Sequence, residues 1–197
     1  MADPRFYTVA GPFNLQDIAQ IAEVIIGEGV DNKTQFFDVQ PLISAGAVHI
    51  SFLDNKRYID QFSKTKAGAC LVHSELANKA PKDISLLISK DPYLAYARVA
   101  AAFYPTASIQ DYQAGPFLID DSAAIGENCK IAPGAIIGAN VKIGNNCRIG
   151  ANTVIGSGVT LGHDCFIGPN VTLSFALISN GVCISAGAQI GSDGFGF

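Results

Sequence analysis

The segment at positions 49–62, HISFLDNKRYIDQF, sets Phe52, Asn55 and Tyr58 three residues apart, with Lys56 and Arg57 between them. Two aromatic rings can sandwich a planar base, an amide can pair with the base's polar edge, and a nearby cation suits a phosphate. The segment reads as the end of a strand and the start of a helix, a common place for ligand contacts. Phe and Tyr also fill ordinary cores, and the pattern by itself leaves both readings open.

Three histidines and five cysteines are the other candidates for chemistry. His49 precedes an apolar run and His73 follows one, and both read as strand-end residues. His163 stands two residues after Leu161, where a corner should turn it into solvent. No His-x-x-x-His or Cys-x-x-Cys occurs, which argues against zinc, and there is no Gly-x-Ser-x-Gly nucleophile elbow. Asp193-Gly194-Phe195-Gly196 reads as a loop leaving the regular pattern. Cys129, Cys147, Cys165 and Cys183 are each 18 residues apart. An odd cysteine count in a chain without a signal peptide favours free thiols.

The cysteine spacing is part of a longer repeat. From Ile119 an aliphatic residue returns every six positions through Leu173, and after a slip of one the series continues at Ile178, Ile184 and Ile190. Twelve of these thirteen hexads, from Ile125 onward, place a small or branched residue two positions before the aliphatic, so both face inward along a short strand. Glycine follows the aliphatic in eight hexads, where it is expected to turn the corner through backbone angles closed to branched residues. A six-residue period belongs to parallel β-helices. Eighteen residues per coil would make three sides and stack Cys129, Cys147 and Cys165 inward, while Cys183, after the slip, should leave the stack.

Positions 1–104 lack the repeat and read as a small α/β domain. Asn14 with Asp17 suggests a capping box opening a helix with the stripe Leu15, Ile18, Ala19 and Ala22. Strands are expected at 24–26, 36–39, 48–52, 69–72 and 85–88, and a helix over 56–66. Asp91 and Pro92 should open a further helix with the stripe Tyr93, Tyr96, Ala100 and Phe103, stopped by Pro105. Positions 105–117 read as a linker and 118–197 as the repeat domain. The chain is 49% apolar and 15% charged over 197 residues, which is a folding composition. Its net charge of −4 argues against nucleic-acid binding. No apolar run is long enough to span a membrane and no signal peptide is visible, so a cytoplasmic protein is expected.

Runs such as IGANVKIGNNCRIGANTVIGSGVTLG resemble the hexapeptide-repeat acyltransferases, which implies a left-handed parallel β-helix of three sides. SFLDNKRY, KDPYLAYARVA and GSDGFGF, in that order around the repeat, make the whole chain similar to the UDP-3-O-(3-hydroxyacyl)glucosamine N-acyltransferase family of lipid A biosynthesis. The resemblance implies transfer of a 3-hydroxyacyl group from acyl carrier protein to the 2-amino group of UDP-3-O-acylglucosamine, by a homotrimer without a cofactor. It places uracil on Phe52, Asn55 and Tyr58, with Lys56 as a neighbour, and Asp193 and Gly194 near the acceptor cleft. The family's catalytic histidine, in Gln-Ile-x-His-Asn, has no counterpart: Gln189-Ile190 is followed by Gly191. The chain is therefore expected to be the first part of such an enzyme and inactive alone. Another sugar-nucleotide acyltransferase on the same helix, or a non-catalytic trimerising scaffold, remains the alternative.

Overall fold

The structure is a computed structural model and describes residues 2–27, 34–107 and 118–192. Two compact units are present, one comprising residues 1–2 and 7–107, the other residues 3–6 and 108–197.

In the first unit, β1 (Phe13–Asn14) leads into α1 (Leu15–Ala22). Asn14 Oδ1 accepts the Gln16 and Asp17 amides, and Asp17 Oδ2 accepts the Asn14 amide, a complete capping box. There follow β2 (Ile25–Ile26), β3 (Gln35–Phe36), β4 (Asp38–Val39), β5 (His49–Leu53), a 3-10 turn (Lys56–Tyr58), α2 (Ile59–Phe62), β6 (Ala69–Val72), a second 3-10 turn (Ser74–Lys79), β7 (Ser85–Ile88) and α3 (Pro92–Phe103). β1 pairs with β3. The main sheet has the order β2-β7-β6-β5-β4. Its four strands from β4 to β7 run parallel, with β2 antiparallel at one edge. Ile50, Ala69, Leu71 and Leu87 pack with α1 and α3 on one face. Leu53, Cys70 and Val72 pack with Leu42, Phe62 and Leu76 on the other.

Two expectations are corrected here. The helix expected over 56–66 is only a 3-10 turn plus the single turn of α2. Thr65 Oγ1 donates to the Leu42 carbonyl and accepts the Ala67 amide, which draws the chain out of helix and into β6. On α3, Asp91 and Pro92 open the helix as expected, but its buried stripe is Pro92, Ala95, Val99 and Phe103. The small Ala95 and Val99 allow close packing, while Tyr93 is exposed and Tyr96 packs half-buried against the core, both rings meeting Phe52.

The second unit is a coil of two-residue strands. They form three separate four-stranded parallel sheets, so each coil contributes one strand to each side. Partners are 18 residues apart, as in Ile137↔Ile155 and Ile155↔Leu173. After the slip the offset is 17, as in Leu161↔Ile178, and Phe175 takes up the lost residue at a φ of 48°. The aliphatics and the small residues two before them form one apolar core from Ala135 to Ile184. Cys147 and Cys165 are buried in it, Cys129 is half-buried at the first coil, and Cys183 is exposed. Their thiols donate to carbonyls of the next coil, at 3.1 Å from Cys129 to Gly144, 3.1 Å from Cys147 to Gly162 and 3.2 Å from Cys165 to Ser179.

The reason for the glycines differs from the expectation. Of the eight that follow an aliphatic, only Gly191 has a positive φ. The others lie where coils approach most closely: a Cβ on Gly150 would sit 2.4 Å from Pro169 N, and one on Gly168 2.6 Å from Ala186 N. The left-handed corner comes two residues later. Asn128, Asn140, Asn146, Asn152, Asp164 and Asn170 hold it at φ of 54–61°, and Gly134, Gly158, Gly181 and Gly187 take the same place in other hexads. Asn and Asp tolerate this region better than other side chains. They also link coils: Asn146 Nδ2 donates to Asp164 Oδ1 at 3.0 Å.

Candidate functional site

β4 stays beside β5 only as far as the Gln40 amide, which donates to the Ile50 carbonyl at 2.9 Å. Pro41 then has no N–H to continue the ladder. The chain departs, and β5 from Ser51 to Leu53 is left with an open edge at the carboxyl ends of parallel strands, where ligands of open α/β sheets commonly sit. A cavity of about 440 Å³ occupies this place. Pro41, Leu42, Ser51, Phe52, Leu53, Asp54, Asn55, Tyr58, Gln61 and Tyr93 line it.

The three residues singled out from the sequence are thus brought together in the lining of one cavity. Phe52 is the penultimate residue of β5, and Asn55 and Tyr58 bracket the 3-10 turn that follows. Asn55 Oδ1 accepts the Arg57 amide at 3.0 Å and caps the turn. That fixes the amide so that Nδ2, the donor, is its free end. Tyr58 is 50% exposed, and among the described residues it contacts no other ring. Phe52 lies flat on Tyr96, with centroids 4.2 Å apart and planes at 25°, and meets the edge of Tyr93 at 6.0 Å. Lys56 and Arg57 are exposed on the turn and stand outside the cavity wall. Asp193 and Gly194 lie outside the described residues.

Sequence reading missed Ser51, Gln61, Pro41, Leu42 and Tyr93. Tyr93 was visible in KDPYLAYARVA but was assigned to the buried stripe of α3; it is 63% exposed. Ser51 is fully buried, and its hydroxyl has no hydrogen-bond partner among the described residues. Behind the rings, buried Asp38 accepts from the Tyr104 hydroxyl, from Gln40 Nε2 at 3.0 Å and from the Val39 amide at 2.8 Å. Burial, then the Asp38 bond and charge, hold the Tyr104 phenol up to about 12. Burial and the Asp38 charge raise Tyr96 as well, so its hydroxyl stays neutral.

The histidines form no such group. His49 Nδ1 accepts the Gly46 amide. His163 is exposed at a corner, where Nδ1 accepts the Asn145 amide at 2.9 Å while its own amide donates to Asn180 Oδ1. Among the described residues no three of His, Cys, Asp and Glu gather where they could hold a metal, and no helix is long and apolar enough to cross a membrane.

Chemically, the cavity offers ring faces together with the Asn55 and Gln61 amides, the Asp54 carboxylate and the Ser51 and Tyr58 hydroxyls, an arrangement suited to a flat heterocycle with polar groups on its edge. Residues 34–102, which include this cavity, match the family model described as UDP-3-O-(3-hydroxymyristoyl) glucosamine N-acyltransferase, LpxD. Residues 122–157 and 140–175 match bacterial transferase hexapeptide repeats. A UDP-3-O-acylglucosamine N-acyltransferase of Granulibacter bethesdensis is 44% identical over all of this chain and 57% of its own length. UDP-3-O-acylglucosamine N-acyltransferase 2 of Legionella pneumophila (strain Paris) is 42% identical and a UDP-3-O-acylglucosamine N-acyltransferase of Bradyrhizobium diazoefficiens 38%, each over the whole chain and 57% of the relative. The chain thus spans little more than half the length of these relatives, and over that span it is similar to UDP-3-O-acylglucosamine N-acyltransferases, with the matched segment 34–102 followed by hexapeptide repeats.

Proposed function

We propose that this chain is the nucleotide-recognising part of an N-acyltransferase of lipid A biosynthesis, and that the cavity at the end of β5 holds the uridine of its acceptor. The observation that carries this reading is the convergence of Phe52, Asn55 and Tyr58 on one cavity within the matched region. The base lies between the Phe52 and Tyr58 rings, and Asn55 Nδ2 donates to a uracil carbonyl. Lys56, exposed on the same turn, favours the phosphates.

The reaction is amide formation. The 2-amino group of UDP-3-O-acylglucosamine attacks the thioester carbonyl of a 3-hydroxyacyl group carried by acyl carrier protein. The C–N bond forms, the C–S bond breaks, and the carrier leaves as its thiol. An alkylammonium titrates near the lysine range, so the nitrogen must lose a proton to react, which calls for a general base. The coil is left-handed, the assembly a homotrimer, and the setting the cytoplasm.

The test is mass-spectrometric detection of acyl transfer by the full-length protein. With 3-hydroxyacyl carrier protein and UDP-3-O-acylglucosamine, one 3-hydroxyacyl mass should be added at nitrogen. A full-length protein that leaves the amine untouched, or acylates a hydroxyl instead, contradicts the reading.

A further inference from the structure

The Phe52 ring meets the cavity with only one face available. Its other face lies on Tyr96, with centroids 4.2 Å apart and planes at 25°, and Tyr93 meets its edge at 62°. Tyr96 stands one helical turn after Tyr93 on α3 and packs, half-buried, against the core beneath the sheet. The element carrying it is anchored independently of any ligand, through Ala95, Val99 and Phe103. Tyr96 is absent from the cavity lining, so it reaches a ligand only through Phe52.

We infer that Tyr96 is a positioning residue of the base site: it forms the rear layer of a stack Tyr96–Phe52–base and fixes the plane of the Phe52 ring before a ligand arrives. The inference rests on the reading of the cavity as a uridine site. An unsupported phenylalanine at a strand end turns about its terminal torsion, and a ligand must then halt that motion when it binds. A ring already held flat by a second ring does not impose that loss. Offset stacking also sets the orientation of the free face, and Tyr93 at the edge limits sliding. The role belongs to the aromatic plane. The Tyr96 hydroxyl, kept neutral by burial and by Asp38, has no part in it.

The experiment is a titration of the chain with UMP, using wild type, Tyr96→Phe and Tyr96→Leu, with melting followed in parallel. Tyr96→Phe keeps the plane and should bind within about twofold of wild type. Tyr96→Leu keeps apolar volume without a plane and should weaken UMP roughly three- to tenfold, as expected for one side chain that must be immobilised on binding. A purely structural residue would lower the melting temperature of Tyr96→Leu and leave the affinity of its folded fraction alone; that result overturns the inference. Wild type that fails to bind UMP refutes the uridine reading itself, whereas wild type and Tyr96→Leu binding alike refute only the role of Tyr96. Should Tyr96→Leu not fold, the wild-type complex decides. NOEs from the base H5 and H6 should reach Phe52 while the Phe52–Tyr96 NOEs persist. Base NOEs to the Tyr96 ring face, meaning that the ligand displaces the stack, overturn the proposal.

Discussion

In the proposed uridine site Asn55 would serve two purposes with the two ends of one amide. Its oxygen caps the turn through the Arg57 amide, and its nitrogen is left for the cavity. Asn55→Asp separates them, because a carboxylate still accepts from Arg57 but cannot donate. The melting temperature should stay within a few degrees of wild type while UMP binding falls about tenfold, the loss of one hydrogen bond to a buried acceptor; calorimetry and thermal melting together check this. The thiols make a second prediction at this scale. Cys70 is fully buried and its thiol is pushed well above its ordinary value by that burial; Cys147 is raised for the same reason. Cys183 should react first with iodoacetamide, while Cys70, Cys147 and Cys165 should be labelled only on unfolding, as read by mass spectrometry. Rapid native labelling of Cys147 and Cys165 would remove the inward ladder. Phe52, Asn55 and Tyr58 were legible in the sequence because they lie within one short segment. Pro41, Leu42, Gln61 and Tyr93 reach the same cavity from other segments, and no local spacing announces that.

Among elements, the repeat was the most legible, because a strand pair recurring every 18 residues writes its period directly into the chain. The physical role of its glycines was not legible. Composition says only that glycine is needed; contact between coils says why. At Gly150 the reason is space, since the next coil's backbone comes within 2.4 Å of an added Cβ. At Asn152, two residues on, the reason is backbone angle, with φ at 55°. Gly150→Ala should therefore cost about 2–3 kcal/mol through overpacking against backbone that cannot yield. Asn152→Gly should be close to neutral and Asn152→Ala should cost about 1 kcal/mol. Urea unfolding of the three variants measures this, and a Gly150→Ala protein as stable as Asn152→Gly would contradict the close-approach account. α3 shows the opposite limit. Its start is readable from Asp91 and Pro92, but its buried stripe is not the one the larger residues suggest: small Ala95 and Val99 face the core, Tyr93 goes to the cavity and Tyr96 packs half-buried on Phe52. Hydrophobic size misleads when a helix must sit close to a sheet and also furnish rings to a site.

At the scale of the molecule, one unit is built around an open sheet and the other from stacked coils. The first presents a cavity where one strand leaves its neighbour; the second stacks its coils around one apolar core. The central claim is that the first unit recognises a uracil nucleotide. The most direct measurement is the chemical-shift response of the labelled chain to UMP, with AMP as the comparison. UMP should shift resonances of Phe52, Asn55, Tyr58 and Tyr93 together and saturate, and AMP should bind at least several-fold more weakly, because its larger base offers a different edge to Asn55. No response to UMP, or equal binding of AMP at the same residues, would contradict the account.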